Sequence, residues 1–378
     1  MVGMHKDHAH LSCRMTRARR GRAGEDGRVS RSRTAPAPLI RLDDLHRLST
    51  TVLGSVGMPA EHARWTADAL VWADAHGLPA HGVSTKLVQC VERIRAGGTV
   101  ADPRIRVLQD RPSRQVLDAG DAWGQVVGTL AMERAVELAR ATGLGAVSVR
   151  NATSAAAMGY FADLAAERGC IGLAVTNGPA LIAAPEGTRR VVGNQGHALA
   201  APGEGGARLL YDTATTTMST GTMDGYHERG ERLPDGVLRD AGGEPTTDPS
   251  LWTTGLLEPI GGHRGFGLSL ALEVLTGVLA GGDRFGADVG LPTRLAEPQG
   301  VSLFMLAVEP SAGDDLAGRV QHLLDVVAAS GEGARAPGVR AVQESRRARE
   351  HGVAYTPAQV ARLTDLARSC GVAADLGA

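Results

Sequence analysis

The chain has 378 residues, 43% of them hydrophobic and 21% charged, an ordinary globular composition with apolar material for two or three domains. Forty Lys and Arg face 41 Asp and Glu, for a net charge of -1, and only 3% of residues are aromatic. A nucleic-acid binder needs a basic excess or rows of stacking rings, so composition argues against that class. The four cysteines (Cys13, Cys90, Cys170 and Cys370) form no metal-ligand or disulfide spacing, which implies no metal site and a reducing, cytoplasmic setting. No apolar run reaches membrane-spanning length, so no membrane partner is expected. Lysine occurs only twice, at Lys6 and Lys86, against 38 Arg. Almost no site can therefore use a lysine as acid, base or Schiff-base former.

Residues 1–37 hold nine Lys/Arg against three Asp/Glu and almost no large apolar side chain. Such a segment cannot bury enough surface to offset its ordering entropy and reads as a disordered basic extension. Residues 38–104 read as helical. Leu45, Leu48, Val52 and Val56 share one face of a first helix, and Trp65, Ala69, Trp72 and Ala73 share a stripe of a second. Residues 105–330 alternate: helices over Gln125–Arg140, Ala155–Arg168 and Gly265–Leu279 are interleaved with apolar runs at Ala146–Val149, Ile171–Thr176, Leu209–Asp212 and Leu303–Val308. Residues 331–378 return to helix, with Thr356-Pro357 as an N-cap and first-turn proline and Gly371 as the stop. The pattern is α/β: a nucleotide-binding domain on a mixed sheet, with a helical domain made by the two chain ends.

No G-x-G-x-x-G follows a strand and opens a helix, so a dinucleotide would need a non-Rossmann fold. The nearest glycine cluster, Gly261-Gly262-His263-Arg264-Gly265-Phe266-Gly267, runs into a helix whose first N–H groups are free to meet an anion.

Eight short segments, in order, carry a resemblance. They are Ala80-His81-Gly82-Val83, Gly124-Gln125-Val126, Arg150-Asn151 ahead of Gly159-Tyr160, Ala200 to Gly203, Asp212 to Thr216, Pro245 to Pro249, Gly262 to Gly267, and Pro337-Gly338. Together they resemble the type 2 malate/L-lactate dehydrogenase family, which includes ureidoglycolate and 2,3-diketogulonate dehydrogenases and cyclic-imine carboxylate reductases. The resemblance implies NAD or NADP as cofactor, a non-Rossmann fold, a homodimer with sites near the subunit contact, and hydride transfer to or from a small 2-oxo or 2-hydroxy acid or cyclic imine carboxylate. It implies that His81 is the proton donor, that Lys86, Ser154 and Gln195 border the substrate, and that Asp212, Thr213, Ala214, Thr215, Thr216, Arg264, Gly265, Pro337 and Gly338 hold the cofactor.

The departures fall at the reacting end. The family serine before the histidine is Ala80. The family arginine after it gives way to Thr85 and then Lys86, a point charge in place of a bidentate fork. A second family histidine is Ser154, a hydroxyl with no evident basic partner. The Gly-Thr-Asn-Pro stretch reads Gly193-Asn194-Gln195-Gly196, and the loop lysine is Arg264. These losses leave open a second reading, a chain that kept the fold and performs a non-redox biosynthetic step or a binding role. A third, an interaction protein acting through residues 1–37, rests on the tail alone. His197 reads as a hydrogen-bonded strand histidine, with a role as substitute base the less favoured reading.

Overall fold

The computed structural model describes residues 38–376, which fall in one compact unit; the basic extension of residues 1–37 lies outside the described residues. Near the N-terminus come helices α1 (Leu42–Ser55), α2 (Ala60–Ala75) and α3 (Val83–Ala96). Asp43 and Asp44 sit within the first turn of α1, where the positive end of the helix favours them; the N-cap position is Arg41. At the other end, α10 (Pro357–Ser369) starts with a capping box. The Thr356 hydroxyl accepts from Gln359 N at 3.2 Å and the Gln359 side chain accepts from Thr356 N at 2.8 Å. Leu45, Leu53, Leu70, Leu87, Tyr355 and Leu363 pack into one core, which joins the two chain ends.

Between them lies a seven-stranded mixed sheet. Its strands are β1 (Arg106–Arg111), β2 (Arg114–Asp118), β3 (Leu144–Ala152), β4 (Ile171–Thr176), β5 (His197–Pro202), β6 (Arg208–Thr213) and β7 (Val301–Val308). The spatial order is β1-β2-β3-β7-β4-β5-β6. Only β2 and β3 run parallel; every other neighbour is antiparallel. A dinucleotide crevice of the doubly wound kind needs a mostly parallel sheet, so the missing glycine fingerprint and the topology agree. β7 is buried along nearly its whole length and reads as a continuous apolar run, as a central strand should.

Helices α4 (Gly124–Thr142) and α5 (Met158–Glu167) cover one face of the sheet, with Phe161, Met132 and Ala165 in its core. Small residues permit this close approach: a Cβ on Gly145 would lie 2.0 Å from the Ala135 carbonyl oxygen, and one on Gly172 would lie 2.4 Å from that of Ala162. Four further helices complete the chain: α6 (Thr220–Glu228), α7 (His263–Glu273), α8 (Leu316–Ala329) and α9 (Val339–His351). α7 continues into a widened turn at Val274–Val278, so the helix expected over Gly265–Leu279 is irregular in its second half. No helix among the described residues is long and apolar enough to cross a membrane.

Candidate active site

α2 ends at Ala75, Gly77 takes a positive φ of 76°, and Pro79–His81 make one tight helical turn before α3 begins at Val83. One buried carboxylate holds this turn. Asp74 Oδ2 accepts from Val83 N at 2.8 Å and from the Tyr355 hydroxyl at 2.6 Å, so a residue near the C-terminus anchors the entry to α3. A Cβ on Gly82 would lie 1.9 Å from Asp74 Oδ1, which leaves room only for glycine. Burial pushes the Asp74 carboxyl up to about 6, against the lowering effect of its two hydrogen bonds.

His81 and Lys86 project from this turn and the first turn of α3. Burial, with a smaller push from the Lys86 ammonium, drives the His81 imidazole down to about 4, so the ring is neutral at pH 7. Its Nδ1 is buried without a partner among the described residues. Lys86 is lowered to about 8 by burial, partly offset by Asp224 on α6. Its Nζ donates to Gln89 Oε1 at 2.9 Å and has no carboxylate at ion-pair distance among the described residues. α6 closes against the same turn, because a Cβ on Gly221 would meet Ala80 Cβ at 2.7 Å. Asp224 is steadied by the Trp252 indole N–H, which donates to it at 2.7 Å.

The segment leading to α6 holds the residues expected on the cofactor side. Asp212 lies at the end of β6 and stands open to solvent, yet surrounding protein raises its carboxyl to about 6. One of its oxygens, Oδ2, accepts from Gly159 N at 2.9 Å and so caps the start of α5. Thr215 donates from both its backbone N and its hydroxyl to Asn194 O, and the hydroxyl also bonds Ser269 of α7 at 2.6 Å. Ile260 N donates to Thr215 O, which brings the glycine turn before α7 alongside. Gly265 is pinned there, since a Cβ would lie 2.3 Å from Ile260 O. Arg264, beside it, is exposed and carries no side-chain bond among the described residues. Pro337 O accepts from Leu210 N, and Gly338, at φ 91°, would place a Cβ 2.7 Å from Leu210, two residues before Asp212.

Residues 40–364 match the sequence pattern of the family described as malate/L-lactate dehydrogenase. The chain belongs to that family. It is 40% identical over 248 residues to a malate dehydrogenase of Pyrococcus abyssi, covering 64% of this chain and 68% of that one. It is 35% identical over 242 residues to an NAD(+) ureidoglycolate dehydrogenase of Escherichia coli O157:H7, with the same shares covered. The solved malate dehydrogenase of Pyrococcus horikoshii superposes with a TM-score of 0.81 at 28% identity, covering 92% of this chain and 99% of that one.

Within this malate/L-lactate dehydrogenase fold the remaining candidates separate. Ser154 lies between β3 and α5, where its backbone N donates to buried Gln299 Oε1 at 3.1 Å; its hydroxyl has no basic partner among the described residues. Gln195, at φ 35°, is fully buried; its amide nitrogen donates to Glu273 of α7, and its Oε1 is buried without a partner among the described residues. The same carboxylate accepts from Asn177 Nδ2 at 2.9 Å and Gly286 N at 3.1 Å. His197 is a strand histidine, with Nδ1 3.0 Å from Gln195 O and its ring edge-on to Tyr211. Nothing local in the sequence pointed to Asp74, Tyr355, Asp224, Glu273 or Gln299. Their partners lie far along the chain, and a lone Asp in an alanine-rich helix carries no motif. A cavity of about 300 Å³ opens beside Gln299, bordered by Pro179, Arg190, Arg284 and Gly290. No group of three or more metal-ligating side chains occurs among the described residues.

Proposed function

We propose that the protein is an NAD- or NADP-dependent oxidoreductase acting on C2 of a small 2-oxo or 2-hydroxy acid or cyclic imine carboxylate. One observation carries the reading. The tight turn bearing His81, one step ahead of the first turn of α3 with Lys86, abuts α6, which follows the Asp212–Thr216 segment beside the glycine entry to α7. The family relationship and the names of the relatives support the same chemistry.

The residues present suit such a cofactor. The open entry to α7, with Gly262 at φ 62° and exposed Arg264, offers N–H groups and a guanidinium for phosphate. Asp212 keeps Oδ1 for a hydroxyl, since Oδ2 is spent on Gly159. When bound, the nicotinamide supplies or takes the hydride. Lys86 offers its charge to the substrate carboxylate, and neutral His81 offers hydrogen bonds without charge. Ser154, whose backbone N bonds Gln299, is a further candidate contact for the substrate.

The exposed Leu270, Val274 and Val278 on α7 and its continuation form an apolar face that suits a second copy of the chain. We therefore read the protein as a homodimer, which sedimentation velocity tests directly; a concentration-independent monomer would reject it.

The activity is tested by titrating the purified protein with NADH and NADPH while following nicotinamide fluorescence, then assaying a panel of 2-oxo acids and cyclic imine carboxylates. Enhanced fluorescence with one cofactor and turnover of at least one compound are expected. Failure to bind either cofactor overturns the reading.

A further inference from the structure

We propose that a cavity between α1, α2, α5 and α9 is a binding site for a small zwitterion, an α-amino acid with an apolar or aromatic side chain. The cavity has a volume of about 330 Å³, at the lower end of the range for small-molecule sites. Neither His81 nor Lys86 lines it, nor does any residue assigned above to the cofactor. Three features of its walls carry the inference.

The first is a fixed aromatic wall. Trp72 of α2 stacks on His76 one turn later, with ring centroids 3.9 Å apart and planes 22° from parallel. It also meets Tyr160 of α5 edge to face at 6.1 Å. The Trp72 indole N–H donates to Asp163 Oδ2 at 3.1 Å, and His76 Nδ1 lies 2.7 Å from Trp72 O, so neither ring is free to turn. Rings held in place beforehand receive an apolar or aromatic side chain at little ordering cost.

The second is a pair of opposite charges that do not meet. Of the three carboxylates on the walls, two are engaged. Asp163 Oδ1 accepts from Arg208 Nε at 2.9 Å, and Asp68 Oδ1 lies 2.9 Å from His46 Nε2. The third, Glu167 at the end of α5, has no hydrogen bond or ion pair among the described residues, and neither has Arg349 of α9. Both stand on the exposed rim of the same cavity. A carboxylate and a guanidinium that share a cavity without joining leave space for a molecule charged the other way at each end. Its ammonium faces Glu167 and its carboxylate faces the planar fork of Arg349.

The third is a hydroxyl left open. Ser345 is only 4% exposed, lines the cavity, and makes no side-chain hydrogen bond among the described residues. It does not take the carbonyl four residues back, the ordinary recourse of a serine inside a helix. Ser345 and Arg349 are four apart on α9 and so share a face, which puts a hydroxyl and a guanidinium side by side for one carboxylate.

The test is isothermal titration calorimetry on the full chain without cofactor. The probes are L-phenylalanine and L-leucine, with phenethylamine and 3-phenylpropionate as molecules that keep only one of the two charges. Saturable binding of at least one amino acid, one per chain, is expected, with both single-charge probes weaker by about tenfold or more. Glu167→Gln and Arg349→Gln alter exposed side chains without internal bonds, so the urea midpoint should stay unchanged while affinity falls by about tenfold in each. Ser345→Ala should weaken binding by about threefold. Absence of saturable binding with both amino acids overturns the proposal, as does binding that Glu167→Gln and Arg349→Gln both leave unchanged. Phenethylamine binding as tightly as phenylalanine also overturns it and reassigns the cavity to simple cations. The titration involves no turnover, so its failure and the failure of the oxidoreductase reading are separate results.

Discussion

The two sides of the site are built differently. On the side we propose for the cofactor, backbone meets backbone: Gly265 against Ile260, Gly338 against Leu210, Thr215 against Asn194. On the side we propose for the reaction, one buried carboxylate tethers a short turn, and the side chains of His81 and Lys86 take no part in that tether. A change of residue in the first arrangement collides with main chain that cannot step aside. In the second, a change of side chain on the turn leaves the tether from Asp74 in place.

The sharpest way to break that contrast is Gly265→Ala. Its Cβ would strike a carbonyl oxygen at 2.3 Å, so the entry to α7 must shift. We expect cofactor Kd to rise by about 30-fold, consistent with about 2 kcal/mol of overpacking. Fluorescence titration measures it, and an unchanged Kd would show that this glycine is not pinned. Gly82→Ala follows. The clash is with a side chain, yet Asp74 is tied by two bonds, so we expect about 1–3 kcal/mol of lost stability in urea melts and a larger loss of kcat than of cofactor affinity.

Tyr355→Phe removes one donor from Asp74 and should cost about 1.5–3 kcal/mol, the range for a bond to a charged group. It should leave cofactor binding unaltered, and a matching drop in cofactor affinity would erase the distinction between the two sides.

Asp74 also imposes a pH dependence. Because burial raises its carboxyl to about 6 from a reference value of 3.8, the folded chain keeps a proton that the unfolded chain gives up. This group's contribution to stability is full below about pH 4 and is lost as pH rises through about 6. Asp121, raised by burial, acts in the same direction. Asp74→Asn should therefore flatten part, not all, of the decline in urea midpoint between acid and neutral pH.

The smallest effect is expected from Ser154→Ala. A hydroxyl with no base beside it transfers no proton, so kcat should change less than about threefold. A loss near 100-fold would assign proton chemistry to the β3–α5 loop.

Much of the architecture was legible because it is local. The run Ile171–Thr176 is a strand end to end, and Thr356-Pro357 starts a helix, since strand runs and caps are written in neighbouring residues. The β1–β2 hairpin was not foreseen: Arg106, Gln109, Asp110 and Arg114 give no apolar alternation on an edge largely open to solvent. In the site, His81 and Lys86 were visible as residue types in a short motif. The neutrality of His81 was not visible, because burial comes from segments distant in sequence. The bond from Gln195 to Glu273 was hidden for a related reason: a polar side chain in a glycine-rich loop carries no sign of a carboxylate partner 78 residues away.

The bond from Tyr355 to Asp74 spans 281 residues of chain. During synthesis the turn after α2 is made long before its anchor, Tyr355, leaves the ribosome. A nascent chain that stops short of Tyr355 already holds every strand of the seven-stranded sheet, whose last member is β7, and still lacks the bond that fixes this turn.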